Sequence, residues 1–170
     1  MSKFIHAFYT TMIWLLLSCC FSDRDSNKEF VKKHKDENFD AFINTSFLIR
    51  SIDEKGNLIV FVSTDFENAY NEGPYIMTVE KGTGRIIDTS FRLRKDSINF
   101  KKDDINSLVL KFLEYNVYSL AVDKSGNVYF RLREAEKPTL IRFSDSNRMN
   151  EEYRKNWRKI EGNWYEKRNN

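Results

Sequence analysis

Between Ser46 and Arg133 the chain three times sets an apolar run, a glycine-bearing polar turn and a second apolar run in succession, and nothing else in the sequence constrains the fold as tightly. Ser46–Ile52 leads through Asp53-Glu54-Lys55-Gly56-Asn57 to Leu58–Ser63. Tyr75–Glu80 leads through Lys81-Gly82-Thr83-Gly84 to Arg85–Leu93, and Tyr118–Val122 through Asp123-Lys124-Ser125-Gly126-Asn127 to Val128–Arg133. Period-two alternation, bounded by glycines that accept a positive φ, predicts three β-hairpins. In the third, Val128, Phe130 and Leu132 are expected inward, with Tyr129, Arg131 and Arg133 outward. Leu58-Ile59-Val60-Phe61-Val62 is apolar on both alternating faces, which predicts a central, covered strand. Leu140–Phe143 adds a further one.

Helical periodicity interrupts these strands. Lys101–Asn116 places Ile105, Leu108, Val109 and Phe112 on one face, with Asp103 and Asp104 in the first turn, where the helix dipole favours acids. Asn150–Lys159 opens on Glu151 and Glu152, closes on Arg158 and Lys159 and meets Gly162 just beyond, which predicts another helix. Ser26 and Glu29 have the spacing of a capping box, so a short helix is expected to carry Phe30, Val31 and His34, followed by a further turn with Phe39, Phe42 and Ile43. The expectation is an α+β fold: a single domain, a mostly antiparallel twisted sheet built from three hairpins, with two or three helices on one face.

A chain of 170 residues with 14 Phe, 8 Tyr and only two Pro has material for one core and is not of disordered composition. The 28 Lys and Arg against 25 Asp and Glu leave +3, too little for a dedicated nucleic-acid binder. The two cysteines, Cys19 and Cys20, are adjacent, so the folded part carries neither a structural disulfide nor a thiolate metal site. Past residue 20 the sole histidine is His34, which reads as an exposed helix residue rather than a ligand.

The amino terminus has its own pattern. Lys3 precedes the apolar run Ala7–Leu17, and small Ser18 follows it, which is the order of a secretory signal. Leu16-Leu17-Ser18-Cys19 resembles the lipobox of bacterial lipoproteins at every position. The resemblance implies cleavage between Ser18 and Cys19, a diacylglyceryl group on the Cys19 sulfur and acyl anchoring in a membrane. The absence of Asp after the cysteine favours the outer over the inner membrane. An ordinary cleaved signal and an uncleaved membrane helix over Phe4–Phe21 are the competing readings. His6, Tyr9, Thr10 and Thr11 weigh against the helix, and the cysteine at the edge of the run weighs against a plain signal. The organisation that follows is a signal peptide over residues 1–18, a tether over 19–38 and one domain over 39–170. Nothing in residues 21–170 resembles a known family.

Chemistry-bearing constellations are sparse. The two Asp-x-x-Gly-Asn segments lack the further carboxylates and distant Glu of a calcium loop, and read as hairpin turns. Lys81-Gly82-Thr83-Gly84-Arg85 lacks the Lys-Ser/Thr and following helix of a nucleotide loop. No Gly-x-Ser-x-Gly is present, and neither nucleophilic nor zinc chemistry has its residues. The candidate binding surface is the C-terminal stripe of Met149, Tyr153, Trp157, Ile160 and Trp164, flanked by Arg154, Lys155, Arg158 and Lys159. On a helix it would offer aromatic area beside cations, or form a core face with a wet back.

These readings converge on a membrane-anchored envelope lipoprotein, held through lipid on Cys19. Its domain is expected to be a non-enzymatic binding module, a class that includes immunity-type lipoproteins, whose partner is a protein or another envelope component, with no cofactor, metal or nucleic acid. An envelope carbohydrate hydrolase using two carboxylates and a structural tethering lipoprotein are the alternatives.

Overall fold

A computed structural model describes residues 23–66, 75–91, 102–134, 137–144 and 155–168. The chain divides into two compact units, residues 1–35 and 36–170. In the first, helix α1 (Asp23–His34) starts three residues ahead of Ser26, so Ser26 lies inside the helix instead of capping it. Lys32, Lys33 and His34 end it, where the dipole favours cations. His34, expected at the surface, is only 8% exposed, its ring 4.6 Å from that of Phe30 one turn back.

The second unit is built on one open antiparallel sheet of nine strands: β1 (Thr45–Ile52), β2 (Leu58–Ser63), β3 (Tyr75–Val79), β4 (Ile86–Phe91), β5 (Ser119–Val122), β6 (Val128–Arg131), β7 (Leu140–Arg142), β8 (Trp157–Glu161) and β9 (Trp164–Lys167). Their order is β4-β3-β2-β1-β5-β6-β7-β9-β8. A 3-10 turn at Asp40–Phe42 precedes β1, and helix α2 (Lys102–Glu114) links β4 to β5. The predicted mostly antiparallel sheet is therefore present. Asn116, at φ 53°, lets the chain leave α2, a conformation asparagine tolerates better than most residues.

The two halves of the sheet repeat one plan. In the first, the Asp53 carboxylate accepts from the amides of Lys55 and Asn57 and from the Asn57 side chain, closing the β1–β2 turn, with Gly56 at φ 83°. Asn57 then accepts, through Oδ1, the amide of Lys81, two residues past β3. In the second, Asp123 accepts from Ser125, Asn127 and the Asn127 side chain, with Gly126 at φ 78°. Asn127 Oδ1 accepts the amide of Ser144, two residues past β7. Each half is thus a strand, an Asp-bound turn, a second strand and a third strand clasped to the turn by asparagine.

One face of the sheet holds the main core. Phe47 on β1 stacks on Phe112 of α2 at 5.4 Å, and Phe42 meets Phe47 edge-on. Phe130 on β6 lies between Phe39 and Trp164, edge-on to the first and stacked on the second at 5.8 Å. Val60, Val62, Met77, Leu120 and Leu140 are buried among the strands, as are Ile105 and Val109 on α2. On the other face Ile141 and Phe143 form a smaller cluster with Tyr129, Trp157 and Tyr165, and Phe66 stacks on Tyr129.

The predicted helix over Asn150–Lys159 is contradicted from Trp157 onward, because Trp157–Glu161 is strand. Local periodicity lost to a hairpin: Glu161-Gly162-Asn163 turns the chain, Gly162 has φ 51°, and Trp164–Lys167 pairs back along β8. Residues 145–154 lie outside the described residues. Replacing Phe130, fully buried in the ring cluster, with alanine is expected to cost about 3–5 kcal/mol, read from urea unfolding followed by circular dichroism.

Candidate functional site

Cys19, the expected lipid site, and Tyr153 and Arg154 of the expected binding stripe lie outside the described residues. The rest of that stripe is not one surface. A strand sends neighbouring side chains to opposite faces, and the register Trp157↔Lys167, Arg158↔Glu166 puts Trp157 and Trp164 on different sides of the sheet. Trp157 packs on the Ile141–Phe143 cluster, whereas Trp164 is 2% exposed in the main core. Arg158 is held by Glu166, a buried carboxylate that accepts its Nε at 2.7 Å and also its Nη2. Trp164 is therefore a core residue and Arg158 is engaged by Glu166, while among the described residues of the stripe Trp157 and Ile160 are half-buried and the flanking Lys155 and Lys159 are exposed.

Arginine does similar work one strand inward. Arg142 lies over the rings of Phe39 and Trp164, at 5.4 and 5.9 Å, and donates to the Glu37 carbonyl at 2.9 Å. Glu37 pairs with Lys111 on α2 at 3.7 Å. Burial, and then the charge of Glu37, pushes the Tyr115 hydroxyl well above the usual phenol range. This corner joins the entry of the domain, α2 and the carboxyl-terminal strands through charge-assisted contacts.

A second locus was not singled out from the sequence. The β1–β2 and β3–β4 turns emerge at the same end of the sheet, and between them lies an open depression of about 900 Å³. Asp53, Glu54, Thr78, Glu80, Lys81 and Ile87 are among the residues that line it. The Lys81 side chain lies across Gly56, 2.9 Å from where a Cβ would stand; a flexible lysine can yield there, so it is the φ of 83° that favours glycine. Two turns with the same glycine chemistry, one hairpin apart, were the only sequence signal for this convergence. Most of its polar groups already have structural partners. Glu80 accepts from the Thr83 hydroxyl and pairs with Arg85, while Asp53 is bound by the turn. Those hydrogen bonds, the Asn57 amide first, hold the Asp53 carboxyl below the usual carboxylate range. Such an acid is an anchored acceptor rather than a proton donor at neutral pH.

Among the described residues no group of three or more His, Cys, Asp or Glu is placed to hold a metal ion. No helix among them is long and apolar enough to cross a membrane. Against family models, curated proteins and solved structures alike, the chain finds no match.

Two tests follow from this geometry. Replacing Arg158 with Met leaves the Glu166 carboxylate buried without its guanidinium, and stability measured by urea unfolding should fall by about 1.5–3 kcal/mol. Because the folded pKa of Asp53 lies below its ordinary 3.8, its stabilisation is complete above that value and is lost as the pH falls through the folded pKa. Carboxyl chemical shifts should therefore place the Asp53 midpoint below 3.8, and Asp53→Asn should remove that part of the acid sensitivity of the β1–β2 turn.

Proposed function

We propose that the chain is a bacterial lipoprotein, exported and held at the outer membrane by a diacylglyceryl group on Cys19, whose domain is a non-enzymatic binding module for a protein partner in the cell envelope. The observation that carries the reading is the sequence Leu16-Leu17-Ser18-Cys19 at the point where an apolar leader gives way to polar chain. With about 0.8 kcal/mol per buried methylene, two or three acyl chains anchor durably where one does not.

The architecture of the domain is in keeping with recognition. If the hairpins carry their helices on one face, the other face is left as a surface. There Leu48, Phe61 and Ile76 are half-buried in one row across strands β1 to β3, with half-buried Ile59 two residues along β2 from Phe61. Two of the acids of the depression, Asp53 and Glu80, are tied into its turns, which argues for contact rather than hydrolysis.

Cells grown with a clickable fatty acid should label the wild-type chain and leave Cys19→Ala unlabelled and released from membranes. Equal labelling and equal retention of the two would reject the anchor. For the domain, the tagged full chain extracted in mild detergent should retain a discrete envelope polypeptide. Cleavage of a cell-wall glycan by that preparation, with nothing retained, would overturn the binding-module reading.

A further inference from the structure

The repeated plan of the sheet has one unmatched place. Through the pairing of each third strand, the fourth strands correspond: β9 lies against β7 as β4 lies against β3. Tyr165, opposite Ile141, then corresponds to Asp88, opposite Thr78, and Glu166 corresponds to Thr89. In the second half β9 is covered along its outer edge by β8, but in the first half β4 is the last strand among the described residues. Ile87 is 45% exposed beside that edge, Asp88 and Ser90 are exposed, and no ion pair engages Asp88 among the described residues.

We propose that β4 receives an extended segment of a partner protein, added as an antiparallel strand in the position that β8 holds beside β9, with a basic side chain of that segment set opposite Asp88. The molecule itself supplies the template. Lys159 of β8 stands opposite Tyr165, so the same register laid on β4 puts a lysine against Asp88. Asp88 shares its face with Thr78, which lines the depression; exposed Glu54 adds a carboxylate there beside Lys55 and Lys81, while Asp53 and Glu80 are already engaged by their turns. An exposed edge offers a row of backbone donors and acceptors that give affinity, while one charged pair sets register. The two edges differ in charge: β8 carries Arg158, paired with Glu166, together with Lys159 and Glu161, whereas Asp88 is the one charged residue of β4. A basic strand is thus directed to β4. The proposal rests on the reading of the domain as a binding module and is independent of the lipid.

The probe is a fluorescent synthetic peptide with the sequence of residues 155–161, titrated into the full chain in detergent micelles. Saturable anisotropy is expected, with amide shift changes concentrated in Ile86–Phe91. The peptide carrying Lys159→Glu should bind the wild type about threefold to fivefold more weakly, and Asp88→Lys should reverse that preference. A peptide N-methylated at alternate residues, which cannot pair along a strand, should lose saturable binding without any change to the protein. Absence of binding, shift changes centred on Trp157–Glu161, or an unchanged preference in Asp88→Lys would overturn the proposal. So would concentration-dependent dimerisation abolished by Asp88→Lys, which would assign the edge to a second copy. An envelope polypeptide retained equally by the wild type and Asp88→Lys would also sink the edge proposal, while leaving the binding-module reading standing.

Discussion

Four cross-strand pairs, from Thr45↔Val122 to Leu48↔Ser119, join the two halves of the sheet. The amide of Ile49 extends the ladder by donating to the Tyr118 carbonyl at 3.0 Å. Among the described residues no other strand pair crosses between the halves, and the residues involved are far apart in the chain, so the loop entropy of the whole β2–α2 segment is committed to forming it. Around this seam the aromatic core is assembled: Phe47 brings α2 to β1, and Phe39, Phe130 and Trp164 tie the start, middle and end of the domain together. Hydrophobic burial and backbone pairing act on the same residues, because Phe47 and its partner Leu120 both belong to the seam and to the core.

The sheet was legible where side-chain alternation and turn chemistry agreed. Leu58–Ser63 reads as a strand from its composition alone, and Gly56 and Gly126 mark turns because their positive φ has few other tenants. The carboxyl-terminal segment was not legible, because its apolar residues recur at three- and four-residue steps that suit a helix as well as they suit two short strands. Pairing with β7, which no local window contains, decided the matter. His34 was misread for a related reason: lysines on both sides suggest exposure, but on a helix they point elsewhere.

Of the candidate site, charge and ring content were visible in the sequence while convergence was not. Trp157, Arg158 and Trp164 are close in the chain, yet strand geometry splits them between two faces and an ion pair. Asp53 and Glu80 are well separated in sequence and meet at one depression, because a meander returns alternate turns to the same end of its sheet. The proposed lipid signal lies at the other extreme. A signal of that kind is contiguous, so Leu16-Leu17-Ser18-Cys19 is read from the sequence alone and owes nothing to the fold.

The placement of the tryptophans has a spectroscopic corollary. The chain contains three, Trp14 in the leader and Trp157 and Trp164 on the carboxyl-terminal hairpin, one on each side of the sheet. In a chain processed before Cys19, as proposed, all indole emission originates from β8 and β9. Intrinsic fluorescence would then follow the fraying of that margin and stay silent about β1 to β4, so its midpoint and that of a backbone probe need coincide only if the whole sheet melts as a single cooperative unit.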